Sequence, residues 1–117
     1  MKRIFSATIN SLHGLIYGFR TEAALREEIV ILAAAVLIAI FLAPNLAWYV
    51  AMIGVLLTVL AVEFLNTAIE KLADRLTTAH DPQIGRVKDL GSAAVGVALV
   101  VGTLFWVFAI AERIGAI

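Results

Sequence analysis

The chain has 117 residues, 62% of them hydrophobic and only 15% charged, with nine basic and nine acidic side chains in balance. That length allows one domain, but a soluble fold of this size cannot bury so much apolar surface, so lipid must solvate much of it. Zero net charge gives no sign of a nucleic-acid partner, the lack of cysteine excludes disulfides and thiolate metal sites, and two histidines argue against a His-based zinc centre.

Residues 1–20 read as an amphipathic helix lying on a membrane surface. At helical spacing Ile4, Phe5, Ile9, Leu12, Leu15, Ile16 and Phe19 share an arc of about 140°, while Arg3, Asn10, His13 and Tyr17 lie on the other side. Such a helix lies in the interface with basic residues near lipid phosphates. Gly14 and Gly18 invite a break. Asn10, His13 and Arg20 interrupt any signal-peptide core and no clear cleavage motif follows, so this segment is expected to be retained.

Thr21 is the expected cap of the next helix, with Glu22 at its positive end. The first span runs over 23–43, and Pro44-Asn45 makes the turn, followed by Trp48 and Tyr49 at the depth of an aromatic belt. The second helix has no breaker over 46–77. At ~1.5 Å per residue it is roughly 48 Å long, well beyond the ~20 residues that span a bilayer. Its last turns must therefore project into headgroups and water. A loop is expected over 77–85, marked by His80-Asp81-Pro82, and a third span over 86–113. Basic residues gather at the N-terminus and over 71–88, which places both in the cytoplasm and the C-terminus outside. The expected fold is a single all-α membrane domain over 1–117, with a surface helix and three transmembrane helices.

The stretch 63–89 carries the chemistry. It holds five of the nine acidic and four of the nine basic residues, between two uncharged runs, Ile29–Val62 and Leu90–Ala111. Glu63, Asn66, Glu70 and Asp74 follow i, i+3, i+7, i+11 spacing, a stripe about 80° wide on one helix. Glu63 falls just inside the apolar boundary, where an ionisable group costs several kcal/mol and marks function by default. Glu22, Arg26, Glu27 and Glu28 share this side of the membrane, as do Arg86, Lys88, Asp89 and Ser92. Carboxylates, an amide and fixed cations at one interface are the parts of magnesium-assisted phosphoryl transfer. A lipid hydroxyl would meet a base at the depth of Glu63, and ATP would stay in water near 70–89. The competing reading is an ion-translocating or structural membrane subunit with Glu63 as an intramembrane proton site. No P-loop, dinucleotide or protein-kinase motif occurs. Gly91, Ser92, Gly96, Ala98 and Gly102 give the third span a small-residue surface suited to close helix packing.

The run Glu63-Phe64-Leu65-Asn66-Thr67-Ala68-Ile69-Glu70, then Asp74, then Gly85-Arg86-Val87-Lys88-Asp89-Leu90-Gly91-Ser92-Ala93-Ala94-Val95 resembles the signature of the prokaryotic diacylglycerol kinase family. The segment 21–28 looks like its N-terminal motif, and the likeness covers essentially the whole chain. It implies a homotrimeric bundle that phosphorylates a lipid alcohol with Mg-ATP, at sites shared between neighbouring subunits. By that resemblance Glu63 is the general base, supported by Asn66. Glu22 and Glu70 bind Mg²⁺ and the ATP phosphates. Arg3, Asn10, Asp74, Ala79, His80, Asp81, Lys88 and Asp89 lie around the nucleotide, and Arg3, Glu28, Glu63 and Ser92 around the lipid. Asn10 departs from the pattern, since better-known members carry an aromatic there. The 79–81 loop also differs in residue type, and Glu27 replaces a Gln. The family has a diacylglycerol and an undecaprenol branch. The Gly-Arg-x-Lys-Asp-x-Gly-Ser-Ala-Ala run looks more like the diacylglycerol branch of Gram-negative bacteria, which implies the inner membrane.

Overall fold

A computed structural model describes all residues from Met1 to Ile117. Four helices follow one another: α1 (Lys2–Thr21), α2 (Ala23–Leu42), α3 (Leu46–Leu76) and α4 (Pro82–Arg113). There are no strands. Only 11 of 117 residues are buried, none of them polar, and large apolar side chains stand exposed along every helix. The fold therefore has a thin core and an apolar exterior, as lipid solvation requires. Two helices, α3 and α4, are long and apolar enough to cross a membrane. The 20-residue α2 carries Arg26, Glu27 and Glu28 near its start and is uncharged from Ile29 to Leu42.

The helix ends follow local chemistry. Gly14 and Gly18 do not break α1; it runs on to Thr21 because Gly18 is buried where the helix crosses Phe64 and Leu25. A β-carbon there would fall 2.6 Å from Phe64 Cε1 and 2.9 Å from Leu25 Cδ1, so only glycine permits this approach. The expected cap at Thr21 is not formed. Its hydroxyl donates back to the Tyr17 carbonyl at 2.7 Å, which keeps Thr21 inside α1, and the break falls at Glu22, in extended backbone. Asn45 caps α3 by accepting from the Trp48 N–H at 2.9 Å.

The second turn is shorter than expected. The linker covers only residues 77–81, and α4 starts at Pro82 rather than Arg86. The Asp81 carboxylate accepts from the N–H groups of Gln83 and Ile84 at 2.9 and 3.4 Å. Pro82 follows at the first helical position, where its missing N–H costs nothing. Asp-Pro reads as a turn from sequence; here it is a helix start.

The most extensive packing is between α3 and α4, with α2 laid against α3. The face that α4 turns inward is small: Gly91, Gly102 and Ala109 are its buried residues. Of the other small residues on this helix, Gly102 is buried and Ala98 half-buried, while Ser92 and Gly96 are exposed. At the end remote from 63–89, Ala39, Met52 and Ala109 form the core under Trp48, Tyr49 and Trp106. The polar atoms of these aromatics are anchored. Trp106 Nε1 donates to the Met52 carbonyl at 3.1 Å and the Tyr49 hydroxyl to the Val36 carbonyl at 2.9 Å. These two bonds tie α4 to α3 and α3 to α2 at this end.

Candidate active site

The unbroken α3 keeps Glu63, Asn66, Glu70 and Asp74 on one stripe about 16 Å long at ~1.5 Å per residue. At its deeper end lies a cleft of about 340 Å³ between α2, α3 and α4. Ile31, Leu32, Leu56, Val59 and Leu99 wall it, and Glu27, Glu28 and Glu63 line it as well. Glu28 of α2 and Glu63 of α3 face this one slot. A greasy slot is thus built that brings together carboxylates from two helices, Glu27 and Glu28 of α2 and Glu63 of α3.

Asn66 is tied to the next member of the stripe. Its Nδ2 donates to Glu70 Oε1 at 3.2 Å. Its Oδ1 is a buried acceptor with no donor, and such an atom normally finds one. The room for it comes from Gly91 of α4, where any β-carbon would collide with that oxygen.

The outer end is polar. Asp74 of α3 pairs with Lys88 of α4 at 2.5 Å. Beside the pair is a hollow of about 370 Å³ lined by Thr77, Ala79, His80, Asp81 and Gly85. The structure thus brings the expected 79–81 loop, Asp74 and Lys88 to one place. The Asp81 carboxylate is committed to capping α4. Asp89 and Ser92 are exposed on α4.

A third group comes from the α1–α2 junction. Lys71 reaches from α3 to Glu22 Oε1 at 2.6 Å, with its ammonium 5.3 Å from the centre of the Tyr17 ring. The Glu22 carboxylate, with the Tyr17 hydroxyl, holds the Lys71 ammonium above the ordinary lysine range. Arg26 Nη1 donates to the Phe19 carbonyl at 3.1 Å and closes the end of α1. Lys71 and Tyr17 were not among the sequence candidates, and nothing in their spacing marks them, because their contact depends on how α1 folds back over α3. Arg3 and Asn10 are not brought in. They are exposed on α1, about 28 and 18 Å from Glu22 along the helix at ~1.5 Å per residue.

No group of three or more His, Asp or Glu side chains converges to hold a metal ion. Glu22 and Glu70 still suit one chemistry. Lys71, which follows Glu70 on α3, pairs with Glu22 at the α1–α2 junction. Mg²⁺ commonly takes one or two carboxylates and completes its shell with substrate phosphates and water. The donor set fits that mode of binding.

A carboxylate stripe running from an apolar slot to a polar hollow is what a membrane phosphotransferase needs. The model of one family, prokaryotic diacylglycerol kinase, matches residues 9–110. The chain belongs to that family. Relatives named diacylglycerol kinase are found in Pseudomonas aeruginosa, 41% identical over 106 residues that cover 91% of this chain and 86% of the relative. The Escherichia coli protein is 39% identical over 104 residues, covering 89% and 85%, and the Haemophilus influenzae protein 34% over 106, covering 91% and 90%. As a prokaryotic diacylglycerol kinase, the chain is a membrane enzyme of the phosphotransferase class, and kinases take ATP as co-substrate. The matched region includes the whole stripe, the 77–81 linker and α4 up to Ile110.

Proposed function

We propose that this chain phosphorylates diacylglycerol to phosphatidic acid with ATP, by direct Mg-assisted transfer at the cytoplasmic face of the bacterial inner membrane. The observation that carries this reading is the cleft, because its apolar walls and carboxylates suit the two halves of a lipid alcohol. The acyl region lies against Leu56, Val59 and Leu99, and the hydroxyl meets Glu63. Glu63 accepts the hydroxyl proton as the lipid oxygen attacks the γ-phosphorus, and the bond from that phosphorus to the β–γ bridging oxygen breaks to release ADP. Glu28 lies beside the acceptor. Asn66 holds Glu70 and offers its unpaired Oδ1 to a donor in the site. The nucleotide sits over the hollow at residues 77–85, near Lys88, Asp89 and Asp74. Glu22 and Glu70 would hold Mg²⁺, which neutralises phosphate charge during transfer.

Three spans, α2, α3 and α4, with α1 on the surface, account for the exposed apolar faces. In α1 the apolar side chains Ile4, Phe5, Leu12 and Ile16 are uncovered, as an interfacial helix requires. The distribution of basic residues supports a cytoplasmic N-terminus and 71–88 region and a periplasmic C-terminus. Because Arg3 and Asn10 lie so far along α1, their contribution to nucleotide binding comes from a neighbouring subunit of a homotrimer.

The test is a side-by-side assay of the purified protein in mixed micelles, with diacylglycerol and with undecaprenol. Transfer of the γ-phosphate of ATP to diacylglycerol, only with Mg²⁺ and faster than to undecaprenol, is the expected result. Preference for undecaprenol would move the chain to the other branch. No transfer to either would leave the proton-site or structural reading of Glu63.

A further inference from the structure

Glu22 is poorly held by its own helices. It stands between α1 and α2 in extended backbone, and although it occupies the N-cap position of α2 its side chain makes no cap bond. Its carboxylate is fixed by one partner, Lys71. The lysine leaves α3 next to Glu70, about 100° round the helix from it, and is steadied over the Tyr17 ring. The ion pair takes only Oε1 of Glu22, so the second carboxylate oxygen stays open to a cation.

We propose that Lys71 is a positioning residue for the metal–nucleotide site: it holds the Glu22 carboxylate toward Glu70, with Tyr17 fixing its own orientation. The inference rests on the reading of Glu22 and Glu70 as the cation's ligands. Residues that orient metal ligands from behind typically change metal affinity by about 10–100-fold when removed, and Lys71 belongs with them although it is exposed and cationic.

The experiment measures binding of Mn²⁺ with a non-hydrolysable ATP analogue to the purified protein by electron paramagnetic resonance, beside steady-state kinetics. Lys71→Met is expected to weaken Mn²⁺–nucleotide binding about tenfold or more, and to raise the KM for Mg-ATP far more than it lowers kcat. The KM for diacylglycerol should not move. Lys71→Arg should restore most of the affinity, because it keeps the charge and the stacking on Tyr17. In the Glu22→Gln background, Lys71→Met should add little, since both changes disable one unit. Unchanged Mn²⁺–nucleotide binding in Lys71→Met, with Glu22→Gln weakened, would overturn the role of Lys71 and leave the ligand assignment standing. Full affinity in Glu22→Gln would sink the ligand assignment itself. Weakening by Lys71→Met that adds fully to that of Glu22→Gln would show the ammonium contacting nucleotide directly, against a positioning role.

Discussion

Gly91 leaves no room for a methyl group. A β-carbon there collides with Asn66 Oδ1, whereas one on Gly96, one turn and a residue further along α4, meets nothing. Gly91→Ala is therefore predicted to cost about 1–3 kcal/mol of stability, as overpacking does. It also pushes Asn66 off Glu70, so kcat falls with it, while Gly96→Ala leaves both unchanged. Thermal unfolding in detergent and steady-state kinetics on the pair check this. The polar half of this contact was legible in the sequence. Glu63, Asn66, Glu70 and Asp74 sit on one helical face by counting alone, and the helix is unbroken as expected. The glycine's task was not legible. Spacing marks Gly91 as one of several small residues, and only packing shows which of them faces a side chain.

At the scale of elements, the start of α4 is the instructive case. Pro82 and His80 signal a turn, and the expected loop runs to Gly85; the side chain of Asp81 instead gathers two N–H groups and starts the helix four residues earlier. Capping is a local competition between a loop and a helix. Composition alone does not decide it, because Asp-Pro serves both. Asp81→Ala is predicted to cost about 0.5–2 kcal/mol and to fray the first turn of α4, with faster amide exchange at Gln83 and Ile84 as the measurement. The hollow beside residues 77–81 should loosen with it, so the KM for ATP rises while the KM for diacylglycerol holds. The α1–α2 junction failed for a related reason. Thr21 is a good cap by type, but its hydroxyl turns back to Tyr17, and the docking of Gly18 on Phe64 and Leu25 carries α1 past the expected break.

For the whole molecule, hydropathy and the aromatic turn at Asn45–Tyr49 made the helical plan readable from the sequence. Apolar runs of that length have few other stable solutions in lipid. What sequence cannot order is the lateral packing, and with it the meeting of Glu22, Tyr17 and Lys71. One chain also leaves Arg3 at the far end of α1 from its own Glu22. If neighbouring subunits complete each site, Arg3→Ala and Glu63→Gln proteins should each be nearly inactive alone. Unfolded together and co-assembled, they should regain a substantial fraction of activity, because some sites then receive an intact Arg3 and an intact Glu63. No recovery on mixing would place the whole site within one chain.

On the proposed mechanism, Glu63 takes the proton of the lipid hydroxyl at the mouth of the apolar cleft. The most direct measurement is the turnover of Glu63→Gln with diacylglycerol and saturating Mg-ATP. The amide keeps the shape and removes the base, so kcat should fall about 10²–10⁴-fold while the helical content and the binding of Mn²⁺ with the ATP analogue stay as in the parent protein. Turnover near the parent rate would contradict it.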